Sequence, residues 1–170
     1  KDEGVFSYVD EDEDNYEGGN EEDTILIKSD KELVNEIIKL GFPKKIISFG
    51  ERLSKEEEDE IMQDSKSAYY YARYVVKGRW LEAEKYIMQD LEYAYFYAKN
   101  IIGGRWIEAE KYIMQDPEYA YLYAKYVIEE RWIEAEKNIM KDPKTAFQYA
   151  RYVVKGRWPE AEKYIMQNDR

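Results

Sequence analysis

The feature that most constrains this chain is a tandem repeat of fixed length. Ile61-Met62-Gln63-Asp64 recurs as Ile87-Met88-Gln89-Asp90, Ile113-Met114-Gln115-Asp116, Ile139-Met140-Lys141-Asp142 and Ile165-Met166-Gln167-Asn168, and every step is 26 residues. Trp80, Trp106, Trp132 and Trp158 keep the same step, as do Ala68, Ala94, Ala120 and Ala146. A repeat of this size is one supersecondary unit that must bury its apolar face against copies of itself. The sequence therefore predicts an all-α fold, a right-handed α-solenoid of two-helix 26-residue repeats over residues 64–170. An N-terminal helical cap over 24–63 and a disordered acidic arm over 1–23 complete it.

Each unit reads as two helices. Asp116-Pro117-Glu118 opens the first: Asp caps, Pro suits the first turn, and Glu favours the positive end of the helix dipole. The helix runs about 12 residues to Gly78, Gly104 or Gly156, which are expected to supply left-handed C-terminal caps. The second helix follows, with Pro159 again at a first-turn position. At about 100° per residue, Ala68, Tyr71, Ala72, Val75 and Val76 form the buried stripe, with Tyr69 at its edge. Trp80, Ala83 and Ile87 continue that core.

Upstream, Ser54-x-x-Glu57 is a capping box at the head of a degenerate unit, and Ser29-x-x-Glu32 is a second. The latter opens a helix with apolar face Leu33, Val34, Ile37, Ile38 and Leu40. Thr24–Lys28 is expected to be a short strand or an extended lead-in. Glu56–Glu60 is expected to be a solvated face.

Chemistry is bounded by what is missing. The chain has no cysteine and no histidine, so disulfides, thiolate nucleophiles, histidine bases and zinc sites built on either residue are excluded. No cofactor is expected. No apolar run approaches the roughly 20 residues of a membrane helix, and an intracellular location is expected. The recurring carboxylates Glu82 and Glu84 lie two apart, on different sides of a helix. A four-fold recurrence points to structural ion pairs with Arg79, Arg105, Arg131 and Arg157, and enzymatic activity is not expected.

The net charge of −11 is concentrated at one end: residues 1–30 hold 12 acidic and 2 basic side chains, whereas residues 64–170 hold 17 and 18. In residues 1–23, Asp10, Glu11, Asp12, Glu13 and Asp14 form an unbroken acidic run beside Phe6 and Tyr8. The arm is a solvating tail, a partner-binding segment anchored by Phe6, Tyr8 and Tyr16, or a nucleic-acid mimic. The run lacks the spacing of a calcium loop.

Two further surfaces are candidates. Opposite the buried stripe, Tyr70, Tyr74, Phe96, Leu122, Tyr126 and Tyr152 vary between units beside Arg73 and Arg151, with Lys99 and Lys125 in line. Aromatic and arginine side chains of this kind dominate interface hot spots. The competing expectation is that they bury against the neighbouring unit. Single-stranded RNA could use the same side chains, but a body near neutrality disfavours nucleic acid. At the end of the last unit, Tyr152, Tyr164, Ile165 and Met166 are expected to leave a partly apolar surface for self-association or partner docking.

The motif Tyr149-Ala150, Val153, Gly156-Arg157-Trp158-Pro159-Glu160-Ala161-Glu162 resembles short helical repeats of tailed-bacteriophage and other viral proteins. The other units depart at the proline (Leu81, Ile107, Ile133), and Glu130 stands where the pattern has Gly. The resemblance covers about residues 64–168, implies a helical-repeat fold in a viral protein, and carries no active site. Together these readings give a non-enzymatic interaction module that binds and modulates or inhibits a host protein, such as a defence factor, in the host cytoplasm. The alternatives are a self-assembling scaffold and an acidic mimic acting through the arm.

Overall fold

A computed structural model describes residues 52–166, all within one compact unit, Phe42–Arg170. The acidic arm, the lead-in at 24–28, the helix opened by Ser29 and residues 167–170 lie outside the described residues. Within them every regular element is helical. Helix α1 (Lys55–Ile61) precedes four helix pairs. The first helices are α2 (Ser65–Tyr71), α4 (Leu91–Tyr97), α6 (Pro117–Tyr123) and α8 (Pro143–Tyr149). The second helices are α3 (Leu81–Ile87), α5 (Ile107–Ile113), α7 (Ile133–Ile139) and α9 (Pro159–Ile165).

The N-termini form as their residues dictate. Ser54 and Glu57 exchange both hydrogen bonds of a capping box, at 3.3 and 2.9 Å. Asp64, Asp90, Asp116 and Asp142 each accept backbone N–H groups of the following turn. Pro117, Pro143 and Pro159 occupy first-turn positions where no N–H is needed.

The C-termini of the first helices differ from expectation. Each widens into a π-helical segment: Ala72–Val76, Ala98–Ile102, Ala124–Ile128 and Ala150–Val154. The Gly78 N–H reaches back six residues to the Ala72 carbonyl at 3.2 Å, and Gly104 and Gly156 repeat the bond to Ala98 and Ala150. That closure makes the residue before each glycine left-handed. Lys77, Gly103 and Lys155 therefore carry the positive φ, of 56°, 69° and 57°, and Gly78, Gly104 and Gly156 do not; Glu129, ahead of Glu130, has the same conformation at 62°. A Cβ built on those three glycines meets nothing within 4 Å, so Glu130 fits at the same place in the third unit.

Each first helix packs on the second helix of its own unit and on the first helix of the next. The core consists of Ala68, Tyr69, Tyr71, Ala72, Trp80, Ala83 and Ile87 and their counterparts, except that in the last unit Phe147 is exposed and Ile165 only half-buried. Tyr69 is central to it rather than at its edge. Val75 and Val76 are only half-buried, because the wider turn carries them away from the axis of the stripe. Inside each unit the tyrosine ring packs on the tryptophan: Tyr71–Trp80, Tyr97–Trp106, Tyr123–Trp132 and Tyr149–Trp158 have ring centroids 4.9–5.1 Å apart.

The hydroxyl of the same tyrosine joins consecutive units. Arg79 donates through Nε and Nη2 to Glu84 at 2.8 and 2.9 Å. Tyr97, from the next unit, donates to Glu84 Oε1 at 3.0 Å and accepts the backbone N–H of Trp80 at 2.7 Å. Arg105, Glu110, Tyr123 and Trp106 repeat the arrangement, as do Arg131, Glu136, Tyr149 and Trp132. It also occurs ahead of the first pair, where Arg52 and Tyr71 both bind Glu58 and Leu53 takes the tryptophan's part. Glu58 is thus buried, unlike its neighbours in the acidic run. Burial pushes the Tyr97, Tyr123 and Tyr149 hydroxyls well above the ordinary tyrosine value, so they remain protonated donors.

Candidate interaction surface

The expected ion pairs are therefore structural. Arg157 and Glu162 form the last of them, at 2.8 Å and largely exposed, and among the described residues no tyrosine joins it. Glu82, Glu108, Glu134 and Glu160 stay exposed, so the two carboxylates of each unit do not meet. Among the described residues no group of three or more acidic side chains is placed to hold a metal ion, and no helix is long and apolar enough to cross a membrane.

The varied side chains of the first helices divide into two sets. Tyr70 and Phe96 are buried, which corrects their expected presentation to a partner. Tyr69 packs edge-on against Tyr70 at 5.1 Å and lies 6.1 Å from Phe96 of the next unit. Tyr93, on the first turn of α4, closes over both Tyr69 and Tyr70. A wheel drawn for one helix cannot include that neighbour. Arg73 donates to the Tyr69 hydroxyl and lies over the half-buried Tyr74 ring, 5.4 Å from its centroid. Leu122 is also half-buried. Tyr69, Tyr70, Tyr74, Tyr93 and Phe96 form an aromatic cluster between the first two units.

The second set is a stripe that begins at Lys99 on the second unit and runs over the last two. Tyr126 and Tyr152 are 43% and 38% exposed. The Lys99 ammonium lies 5.0 Å from the Tyr126 centroid, and Lys125 lies 4.7 Å from the same centroid. Lys125 is also 4.3 Å from the Tyr152 centroid, with the Arg151 guanidinium at 5.2 Å. Cation and ring thus alternate across units as Lys99, Tyr126, Lys125, Tyr152, Arg151. Desolvation lowers the Lys125 pKa, but hydrogen bonds with Tyr126 and Tyr121 outweigh it and hold the ammonium above the ordinary lysine value. The Lys125-to-Tyr121 bond is 3.2 Å.

One surface escaped the sequence reading. Leu81, Ile107 and Ile133 are all more than three-fifths exposed at the heads of the second helices. Their replacement of the proline in the repeat motif was the available signal. At the last unit, Tyr164 and Ile165 are half-buried and Met166 is 59% exposed, whereas the equivalent Ile87, Ile113 and Ile139 are fully buried.

Over its described residues the chain is thus all-helical and built from repeated helix pairs. No protein-family model, curated protein or solved structure matches it.

Proposed function

We propose that this protein is a non-enzymatic protein-interaction module, a right-handed α-solenoid whose outer face carries the binding surface. The observation that supports this most directly is the exposed Lys99–Tyr126–Lys125–Tyr152 stripe. Side chains that a core needs are covered, whereas these rings are solvent-facing and held in place by flanking cations. Rigid aromatic rings lose little conformational freedom on binding, and fixed cations give register. The buried carboxylates are all engaged with arginine and tyrosine, which favours binding over acid–base catalysis. The resemblance to viral helical repeats points to a partner in the host cell.

The test uses immobilised full-length protein exposed to host lysate, beside a Tyr126→Ala/Tyr152→Ala variant. A protein retained by the parent and lost with the double variant is the expected result. A retained set that is identical for both overturns the assignment of the stripe. Deleting residues 1–23 in parallel separates this reading from the acidic mimic, which requires all binding to vanish with the arm. Exposure of Met166 beside the half-buried Ile165 favours self-association as a second reading. Light scattering that shows a strict monomer at high concentration excludes it.

A further inference from the structure

The spacing and charge of the stripe define the chemistry of what it takes. Lys99 and Lys125 both sit within 5.0 Å of the Tyr126 centroid. Lys125 and Arg151 both sit within 5.2 Å of the Tyr152 centroid. Each cation is therefore no more than about 10 Å from the next, as the interaxial distance of packed helices also requires. No carboxylate of the described residues lies within ion-pair distance of Lys99 or Lys125. Among the described residues, ring faces and tyrosine hydroxyls are what face these two ammonium groups.

On the reading of the stripe as a binding surface, we propose that its occupant is an acidic protein segment in an extended polyproline-II conformation, with Asp or Glu at every third residue. A polyproline-II helix has three residues per turn and a rise of about 3.1 Å, so its residues i and i+3 share one face about 9 Å apart. That lies within the bound set by the ring contacts and places one carboxylate at Lys99 and the next at Lys125, on consecutive repeat units. The intervening residues lie over the exposed edges of Tyr126 and Tyr152, where proline or another apolar residue is accommodated, as in other aromatic-lined grooves for extended peptides. Nucleic acid fits less well. Bases need open ring faces, and here ammonium groups already stand 4.3 to 5.0 Å from the ring centroids. Carboxylates need only approach the ammoniums from the solvent side.

The experiment is fluorescence anisotropy with full-length protein and three labelled probes of equal charge. One is a peptide of repeated Glu-Pro-Pro, one is its isomer with all glutamates contiguous, and one is an oligothymidylate. The spaced peptide is expected to bind about fivefold or more tightly than either other probe, and to weaken as salt rises. Lys125→Gln is expected to weaken it by about fivefold or more, and Lys66→Gln, an exposed lysine elsewhere on α2, to leave it unchanged. Equal binding of the contiguous isomer, tighter binding of the oligothymidylate, no binding of the spaced peptide, or indifference to Lys125→Gln each overturns the proposal. If the peptide fails while lysate capture still depends on Tyr126 and Tyr152, the occupant is wrong and the interaction surface stands. If the peptide binds while capture ignores both tyrosines, the reverse holds.

Discussion

Replacing Tyr123 by Phe isolates the contact that joins one unit to the next. The ring stays on Trp132, so packing is preserved, and only the hydroxyl is lost. That hydroxyl donates to the Glu110 carboxylate at 3.3 Å and accepts the Trp106 N–H at 2.6 Å. A bond to a charged acceptor contributes roughly 1.5–3 kcal/mol, and stranding a buried N–H costs roughly 1–3 kcal/mol. The two overlap, because Arg105 still holds Glu110 through two bonds of 2.7 Å. The expected loss is about 2–4 kcal/mol, or a Tm lower by roughly 4–16 °C for a chain of this size. Circular dichroism at 222 nm in a urea series reads it. A second, earlier transition is an acceptable form of the result, since loss of one interface in a repeat array uncouples its neighbours. Pairing the substitution with Glu110→Gln should give strong non-additivity, because both act on one network. Strict additivity, or a Tyr123→Phe change below about 0.5 kcal/mol, would refute the assigned role.

Adjacent glycines provide a sharper contrast. Gly103→Ala should destabilise by about 1 kcal/mol because its φ is +69°, whereas Gly104→Ala, which meets nothing within 4 Å, should be close to neutral by the same urea series. Equal effects at the two positions would contradict the C-terminal geometry described for the first helices. Alkaline titration tests the buried hydroxyls. Their folded pKa values lie above the ordinary 10.0, and Tyr119 is pushed up to about 12 by burial. Their contribution is intact below about pH 10 and is lost as pH rises beyond it, when the unfolded chain releases protons that the folded chain retains. Tyrosinate absorbance should therefore rise together with loss of helicity, and not before it. Asp116→Ala removes a cap that holds the Glu118 and Tyr119 N–H groups and should cost about 1 kcal/mol, read from thermal melts.

The helices, their starts and the alternation of long and short elements were legible because they depend on local signals. Asp before Pro, a capping box at Ser54 and a 26-residue period all act within one turn or one unit. The left-handed positions were misplaced by one residue because the π-helical turn has no local sequence mark. Nothing at Val75 or Val76 distinguishes a six-residue closure from an ordinary one. The ion pairs of Glu84 and its counterparts followed from recurrence, but the tyrosine that completes them did not. Its ring belongs to one unit and its hydroxyl to the one before, and a one-dimensional repeat shows only the first.

The same division decides which side chains are left exposed. Tyr70 and Tyr126 look alike in sequence, both on the outer side of a first helix. Tyr93, on the neighbouring helix, covers Tyr70, whereas Lys99 and Lys125 flank Tyr126 and leave it exposed. Whether an aromatic residue becomes core or surface is therefore set one unit away. The first two units spend most of their variable positions on an aromatic cluster, and the last two present Tyr126 and Tyr152 to solvent. Because stability rests on the Arg–Glu–Tyr links and the tryptophan core, Tyr126 and Tyr152 are free to change at little cost to folding. A binding surface placed there can be tuned one unit at a time, provided each unit keeps the tyrosine that ties it to the preceding one.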